Sequence, residues 1–167
     1  MNAVSVKNVS FSYENAGKFA VDNLSFDLEE KSYTVLAGVN GSGKSTVSRI
    51  IAGLLEPASG SVSVRYGFRV GIVFQSPKDQ IICSVVERDT AFGPKNQGLS
   101  KTEVESVSRA SLSAVGLLSY ASRRSMSLSL GQTQKLALAG IIGMNPDVLI
   151  LDEALSMLDP FSRREIF

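Results

Sequence analysis

Gly38-Val39-Asn40-Gly41-Ser42-Gly43-Lys44-Ser45 places a glycine, four residues and then Gly-Lys-Ser in one short run. The apolar residues Tyr33, Val35 and Leu36 precede it, as a buried strand would, and Val47, Ile50, Ile51 and Leu54 follow at helical spacing. Strand, glycine-rich turn and helix in that order are the pattern of a phosphate-binding loop. Backbone N–H groups at a helix N-terminus hold anionic oxygens, and the helix dipole adds to the attraction. Gly38, Gly41 and Gly43 let the backbone curl towards those oxygens, where a Cβ would clash. Lys44 brings a point charge to the β- and γ-phosphates, and the Ser45 hydroxyl is placed to hold Mg²⁺.

A second group of residues lies more than a hundred positions on. Val148-Leu149-Ile150-Leu151 is a continuous apolar strand ending in Asp152-Glu153. Successive side chains on a strand point to opposite faces, so two adjacent acids can take different tasks. Asp152 is placed to bind Mg²⁺, directly or through water, and Glu153 to face an attacking water. Acids also end strands simply because strands end at the surface. The upstream phosphate loop is what gives this pair its meaning.

The 167 residues are enough for one domain with a real core. Apolar residues make up 44% and charged residues 20%, which is a globular composition. The net charge of +1, from 17 basic and 16 acidic residues, gives no electrostatic footprint for nucleic acid. A single cysteine, Cys83, excludes an intrachain disulfide and suits a reducing compartment, with a small apolar packing role more natural than a reactive thiol. The first residues lack the basic and long apolar regions of a signal peptide, and no run reaches the roughly 18 apolar residues of a membrane span, so a cytoplasmic chain is expected. With no histidine, this chain supplies no imidazole to any mechanism.

Val4, Val6, Val9 and Phe11 predict a strand whose alternation slips once; Leu24, Phe26 and Leu28 predict a second. Tyr33–Ala37 should be the strand feeding the loop, Val62 and Val64 a short strand after Gly60, and Val70–Phe74 an apolar strand ending at Gln75. Val104, Val107, Ala110, Ala114 and Val115 share one helix face, with Ser100 or Thr102 as cap. Residues 121–130, rich in Ser and Arg, are expected to be a solvated linker, with no role assigned to Arg123 or Arg124. Gln132–Met144 reads as an apolar helix stopped by Asn145-Pro146, and Val148–Leu151 as a strand covered on both faces. The expected fold is α/β, with a parallel core sheet, an antiparallel β edge near the N-terminus and a helical subdomain.

Ser127-Leu128-Ser129-Leu130-Gly131-Gln132 resembles the signature motif of ATP-binding-cassette (ABC) ATPases, a class of P-loop NTPase, in which it usually reads Leu-Ser-Gly-Gly-Gln. Gln75 resembles that family's Q-loop residue, Ser156-Met157-Leu158-Asp159 its D-loop, and Tyr13 the aromatic residue that stacks on adenine. The runs Phe74-Gln75-Ser76-Pro77-Lys78-Asp79-Gln80, Ala91-Phe92-Gly93-Pro94 and Ser156-Met157-Leu158-Asp159-Pro160 are similar to the energy-coupling-factor (ECF) branch, which includes cobalt, nickel and vitamin importers. The resemblance implies a RecA-like core at 1–90 and 145–167 and a helical subdomain at about 91–144. It implies ATP and Mg²⁺ as ligands. Tyr13, Gly38, Val39, Asn40, Gly41, Ser42, Gly43, Lys44, Ser45 and Thr46 would bind one nucleotide. Ser129, Gly131, Gln132 and Asp159 would serve the nucleotide shared across a dimer. Ser45, Gln75 and Asp152 would attend the metal, and Glu153, Gln75 and Lys44 the hydrolysis. The implied partners are a second ATPase subunit, identical or related, a transmembrane coupling subunit and a substrate-capture membrane protein, all at the cytoplasmic face of the membrane and without nucleic acid.

Plainer readings stand beside these. Tyr13 also suits an edge-strand aromatic, Gln75 a polar strand end, and Ser129 a helix N-cap. If Tyr13 does stack, other base–aromatic contacts suggest about 1–3 kcal/mol. The sequence also departs from the family in two places. Leu130 stands where the family has the first Gly of a pair, and a left-handed backbone there would cost roughly 1–2 kcal/mol. The family's later strand and its histidine have no counterpart before Phe167, which leads one to expect a fragment or truncated product. A catalytically impaired nucleotide-binding module and a non-transport cassette ATPase are the alternatives to an importer subunit.

Overall fold

The computed structural model describes residues 1–14 and 17–154. The chain divides into two compact units, one ending at Ile72 and one beginning at Val73.

In the first unit, β1 (Asn2–Phe11), β2 (Val21–Glu29) and β3 (Ser59–Val64) form an antiparallel sheet in the order β2-β1-β3. The slip expected between Val6 and Val9 is real. Asn8 takes a left-handed conformation at φ 49°, and the register to β2 shifts between Val6↔Phe26 and Val9↔Leu24. Asn tolerates this geometry better than most residues. Its N–H donates to Ser25 Oγ at 2.8 Å and its Nδ2 to Asn23 Oδ1 at 3.0 Å. The bulge turns Val9 back into the core beside Val4 and Val6. Gly60 of β3 passes it so closely that a Cβ would lie 2.3 Å from the Asn8 carbonyl oxygen, with φ at +83°, so only glycine fits.

The helix expected after the glycine-rich loop is α1 (Lys44–Ile51), which buries Val47, Ile50 and Ile51. Leu54, assigned to the same face, lies past the helix end and is exposed. The predicted strand Tyr33–Ala37 does not form: Tyr33 and Val35 are 94% and 88% exposed. A strand needs a neighbour to take its N–H and C=O groups, and no described strand pairs with this segment.

Among its described residues the second unit carries three α-helices, α2 (Val86–Asn96), α3 (Lys101–Ala114) and α4 (Leu130–Gly143), each packed on the other two. β4 (Val70–Val73) ends where this unit begins and pairs in parallel with β5 (Val148–Leu151). The helices fall between the two strands, the long crossover a parallel pair requires. Val86, Leu112, Leu117, Leu136 and Leu138 centre the core. Each such side chain, fully buried, contributes about 1.5–3 kcal/mol. Ser100 caps α3 in a reciprocal box with Glu103, whereas Thr102 does not cap it. The buried face of α3 is turned one position from the expected one. Ser108, Ser111, Leu112 and the following Val115 point inward while Ala110 and Ala114 are exposed, because Leu112 offers far more apolar surface than an alanine. α4 ends at Gly143 with Met144 as its C-cap, and Asn145 follows at a left-handed φ of 49°, the conformation that commonly closes a helix end. β5 is not covered on both faces, since Leu149 is 42% exposed; with β4 as its one described neighbour, part of its surface stays open.

Residues 121–130 are no free linker. The first turn of α2 has no side-chain cap, and this segment's backbone takes that place: Val86 N–H donates to the Arg123 carbonyl at 3.1 Å and Glu87 N–H to that of Ala121 at 2.9 Å. Buried Ser125 donates its hydroxyl to the Cys83 carbonyl at 2.8 Å. The Arg123 guanidinium lies 4.6 Å over the Tyr120 ring, a cation–π contact. Asp89 completes the arrangement by accepting from the N–H groups of Ile82 and Cys83, both at 2.7 Å.

Burial pushes the Asp89 carboxyl above its ordinary value of 3.8, and the two N–H donors offset this only in part. A carboxyl raised in the folded state stabilises the fold at pH below that ordinary value, and this contribution is lost as pH rises through the raised pKa. Asp89→Asn keeps an oxygen for both donors and removes the charge. The variant is expected to melt above the native protein at neutral pH, with the gap closing towards about pH 4. Thermal melts across that range check it, and parallel curves would reject burial as the dominant effect.

Candidate functional site

In the first unit, the candidate residues lie in the loop before α1. Gly43 precedes the helix at φ 90°, and a Cβ there would meet the Ala20 carbonyl oxygen at 2.2 Å, so conformation and space both demand glycine. Ser42 N–H donates to the Val39 carbonyl at 3.2 Å, which folds the loop on itself. The Lys44 ammonium curls back over this loop and donates to the carbonyls of Gly38 at 3.1 Å and Val39 at 3.0 Å. No side chain caps the N-terminus of α1. A glycine-shaped loop, a lysine held over it and an uncapped helix start fit an anionic phosphate chain.

Tyr13 comes to the same place. Its hydroxyl shares a hydrogen bond of 3.1 Å with Thr46 Oγ1 in the first turn of α1, and its ring meets Phe11 edge-on at 4.9 Å between centroids. The ring stays 41% exposed, so it has surface left for a base. Asn40, Gly41 and Ser42 lie at the exposed rim of the loop, while Ser45 and Thr46 open the helix.

The second unit carries the acidic residues. Asp152, immediately after β5, is 8% exposed, and its N–H donates to the Val73 carbonyl at 2.9 Å. Glu153 is exposed and holds a left-handed φ of 52°. For a non-glycine residue that conformation costs roughly 1–2 kcal/mol. The two acids therefore occupy different surroundings, as adjacent strand-end positions predict. Gln75 reaches Glu153 although 78 positions away in sequence: its Nε2 donates to Glu153 Oε2 at 2.8 Å. That bond orients the carboxylate and leaves the amide oxygen of Gln75 as the end suited to a cation.

Ser129 caps α4. Its hydroxyl accepts from Gln132 N–H at 3.3 Å, and the Gln132 side chain accepts from Ser129 N–H at 2.9 Å, a capping box. Leu130 is the first residue of the helix and takes no positive φ, so the strain conceivable at this position is absent. Gly131 follows in the same turn. Ser156, Met157, Leu158 and Asp159 lie outside the described residues.

Two glutamines at the site escaped the sequence reading. Gln80 accepts from Phe74 N–H at 2.8 Å, and Gln134, 1% exposed, donates to the Phe74 carbonyl at 3.4 Å. The available signal for Gln134 was a polar residue in an apolar helical run, two positions ahead of buried Leu136.

A glycine-rich loop with a lysine over it at the start of a helix, a strand-end Asp-Glu pair with a glutamine on the glutamate and a capped Ser-Leu-Gly-Gln helix start are features of ABC ATPases. Residues 21–156 match the ABC transporter family model, and the chain belongs to that family. Among curated proteins it is similar to the energy-coupling factor transporter ATP-binding protein EcfA1 of Streptococcus pneumoniae, with 41% identity over 98% of this chain and 64% of the relative. The chain thus spans a little under two thirds of that relative's length. Among solved structures, cbiO1 of Clostridium perfringens, part of the ABC transporter complex cbiONQ, superposes with a TM-score of 0.83 at 29% identity, over 99% of this chain and 70% of that one. The ATP-binding cassette MJ0796, in a dimeric post-hydrolysis state bound to ADP and Pi, has the same fold, with a TM-score of 0.88 at 24% identity over 98% and 79%.

Proposed function

We propose that the protein binds and hydrolyses ATP to power import of a vitamin or transition-metal ion through an ECF-type transporter. The single observation that carries the reading is the loop at 38–45, with Lys44 poised over it at the uncapped start of α1. Family membership and the likeness to EcfA1 and cbiO1 support the transport setting.

In this reading Gly38, Val39, Asn40, Gly41, Ser42, Gly43, Lys44, Ser45 and Thr46 wrap the triphosphate, and Tyr13 offers its exposed ring to adenine. Ser45, Asp152 and the Gln75 amide oxygen hold Mg²⁺, which when bound neutralises phosphate charge. Glu153, oriented by Gln75, accepts the proton of the attacking water. Ser129, Gly131, Gln132 and Asp159 serve the nucleotide of a second ATPase subunit, identical or related. Residues 1–90 and 145–167 form the RecA-like core and about 91–144 the helical subdomain. None of the described helices is long and apolar enough to cross a membrane. The partners in this reading are a transmembrane coupling subunit and a substrate-capture protein, at the cytoplasmic face.

Vesicles carrying the full-length protein with its membrane partners test the reading. ATP-dependent uptake of a vitamin or metal ion is the expected result. ATP turnover that continues without any effect of membrane partners would point instead to a non-transport ATPase.

A further inference from the structure

Phe74 is the residue before Gln75, and side chains from two other segments hold its backbone. Gln80, in the 3-10 turn Pro77–Gln80, takes the Phe74 N–H at 2.8 Å, while Gln134 of α4 gives its amide N–H to the Phe74 carbonyl at 3.4 Å. We propose that Gln134 is a positioning residue, which sets Gln75 against Glu153 by holding the Phe74 carbonyl. The inference rests on the ATP-hydrolysing reading of Gln75 and Glu153.

Packing alone does not account for Gln134. Its side chain is 1% exposed, and its Oε1 has no hydrogen-bond partner among the described residues. An apolar residue of similar volume would fill the space without leaving that oxygen unpaired, which is the cheaper solution where only volume matters. What Gln supplies and an apolar residue cannot is an uncharged N–H donor long enough to reach the strand end. The opposite amide orientation would turn Oε1 against the Phe74 oxygen, two acceptors facing each other. From Phe74 the constraint passes through one peptide bond to Gln75 and through the 2.8 Å amide–carboxylate bond to Glu153. Gln134 lies five residues after Ser129, on the helix that Ser129 and Gln132 cap, so the start of α4 and the Gln75–Glu153 pair are joined by one short chain of contacts.

The test is Gln134→Met in the full-length protein, followed by backbone amide exchange and ATP kinetics. The expected result is exchange at Gln75 about tenfold faster, with neighbouring α4 amides unchanged, and kcat about tenfold lower at an unchanged KM for ATP. Exchange at Gln75 or kcat at the native value overturns the proposal. Exchange raised evenly along α4 and β5 also overturns it, since that is general loosening. If Gln134→Met does not fold, Gln80→Met removes the opposite hold on Phe74 and is read the same way. A native protein that binds no ATP overturns the ATPase reading instead, while exchange at Gln75 still decides whether Gln134 holds Phe74.

Discussion

Lys44→Ala is expected to weaken ATP binding by roughly 10- to 100-fold, the equivalent of one charged hydrogen-bonding partner at about 1.5–3 kcal/mol. In the structure Lys44 Nζ is held over the loop by the carbonyls of Gly38 and Val39, at 3.1 and 3.0 Å. Phosphate oxygens are stronger acceptors than neutral carbonyls, so the ammonium has more to gain from them than it gives up. The stability of the fold should change little, because both contacts lie at the protein surface and the helix start does not depend on the side chain. Calorimetric titration with ATP, beside a thermal melt, separates the two effects. Unchanged affinity would remove the phosphate cradle from the site, and a collapsed melt would make Lys44 structural.

Glu153→Gln is expected to lower ATP turnover by about 10²- to 10⁴-fold, the usual contribution of a positioned general base, and to leave ATP affinity near the native value. The substitution is conservative in each respect except the proton. Its amide oxygen still accepts from Gln75 Nε2, and it pays the same left-handed backbone cost at φ 52°. A strained residue at a strand end, held by a glutamine 78 positions away, is the kind of outlier from which function is inferred. Single-turnover hydrolysis measured beside equilibrium binding decides the point. Equal turnover in both proteins would take the role of base from Glu153.

Part of the site lies in consecutive residues and was legible for that reason. The loop at 38–45 needs only its own backbone, one lysine and the helix that follows. The same holds for the helix N-caps at Ser100 and Ser129, each of which the structure completes as a box with the residue three positions on. The β1 bulge was visible as one break in the alternation of Val4, Val6, Val9 and Phe11, which the structure places at Asn8. The strand expected at Tyr33–Ala37 was misread because apolar periodicity reports what a segment would bury and carries no information on whether a neighbouring strand is there to pair with it. The linker expected at 121–130 was misread because side-chain chemistry suggested solvent, while its backbone carbonyls were serving α2.

The sequence by itself determined that this chain carries a glycine-rich loop before a helix, two adjacent acids after an apolar strand and helices with definite starts, since each depends on residues a few positions apart. Only the tertiary structure decided that Gln75 holds Glu153, that Gln134 and Gln80 grip Phe74, and that Leu130 begins α4 without a strained backbone. A hydrogen bond between residues 60 or 78 positions apart forms only once packing has brought their elements together, and no local pattern encodes that meeting.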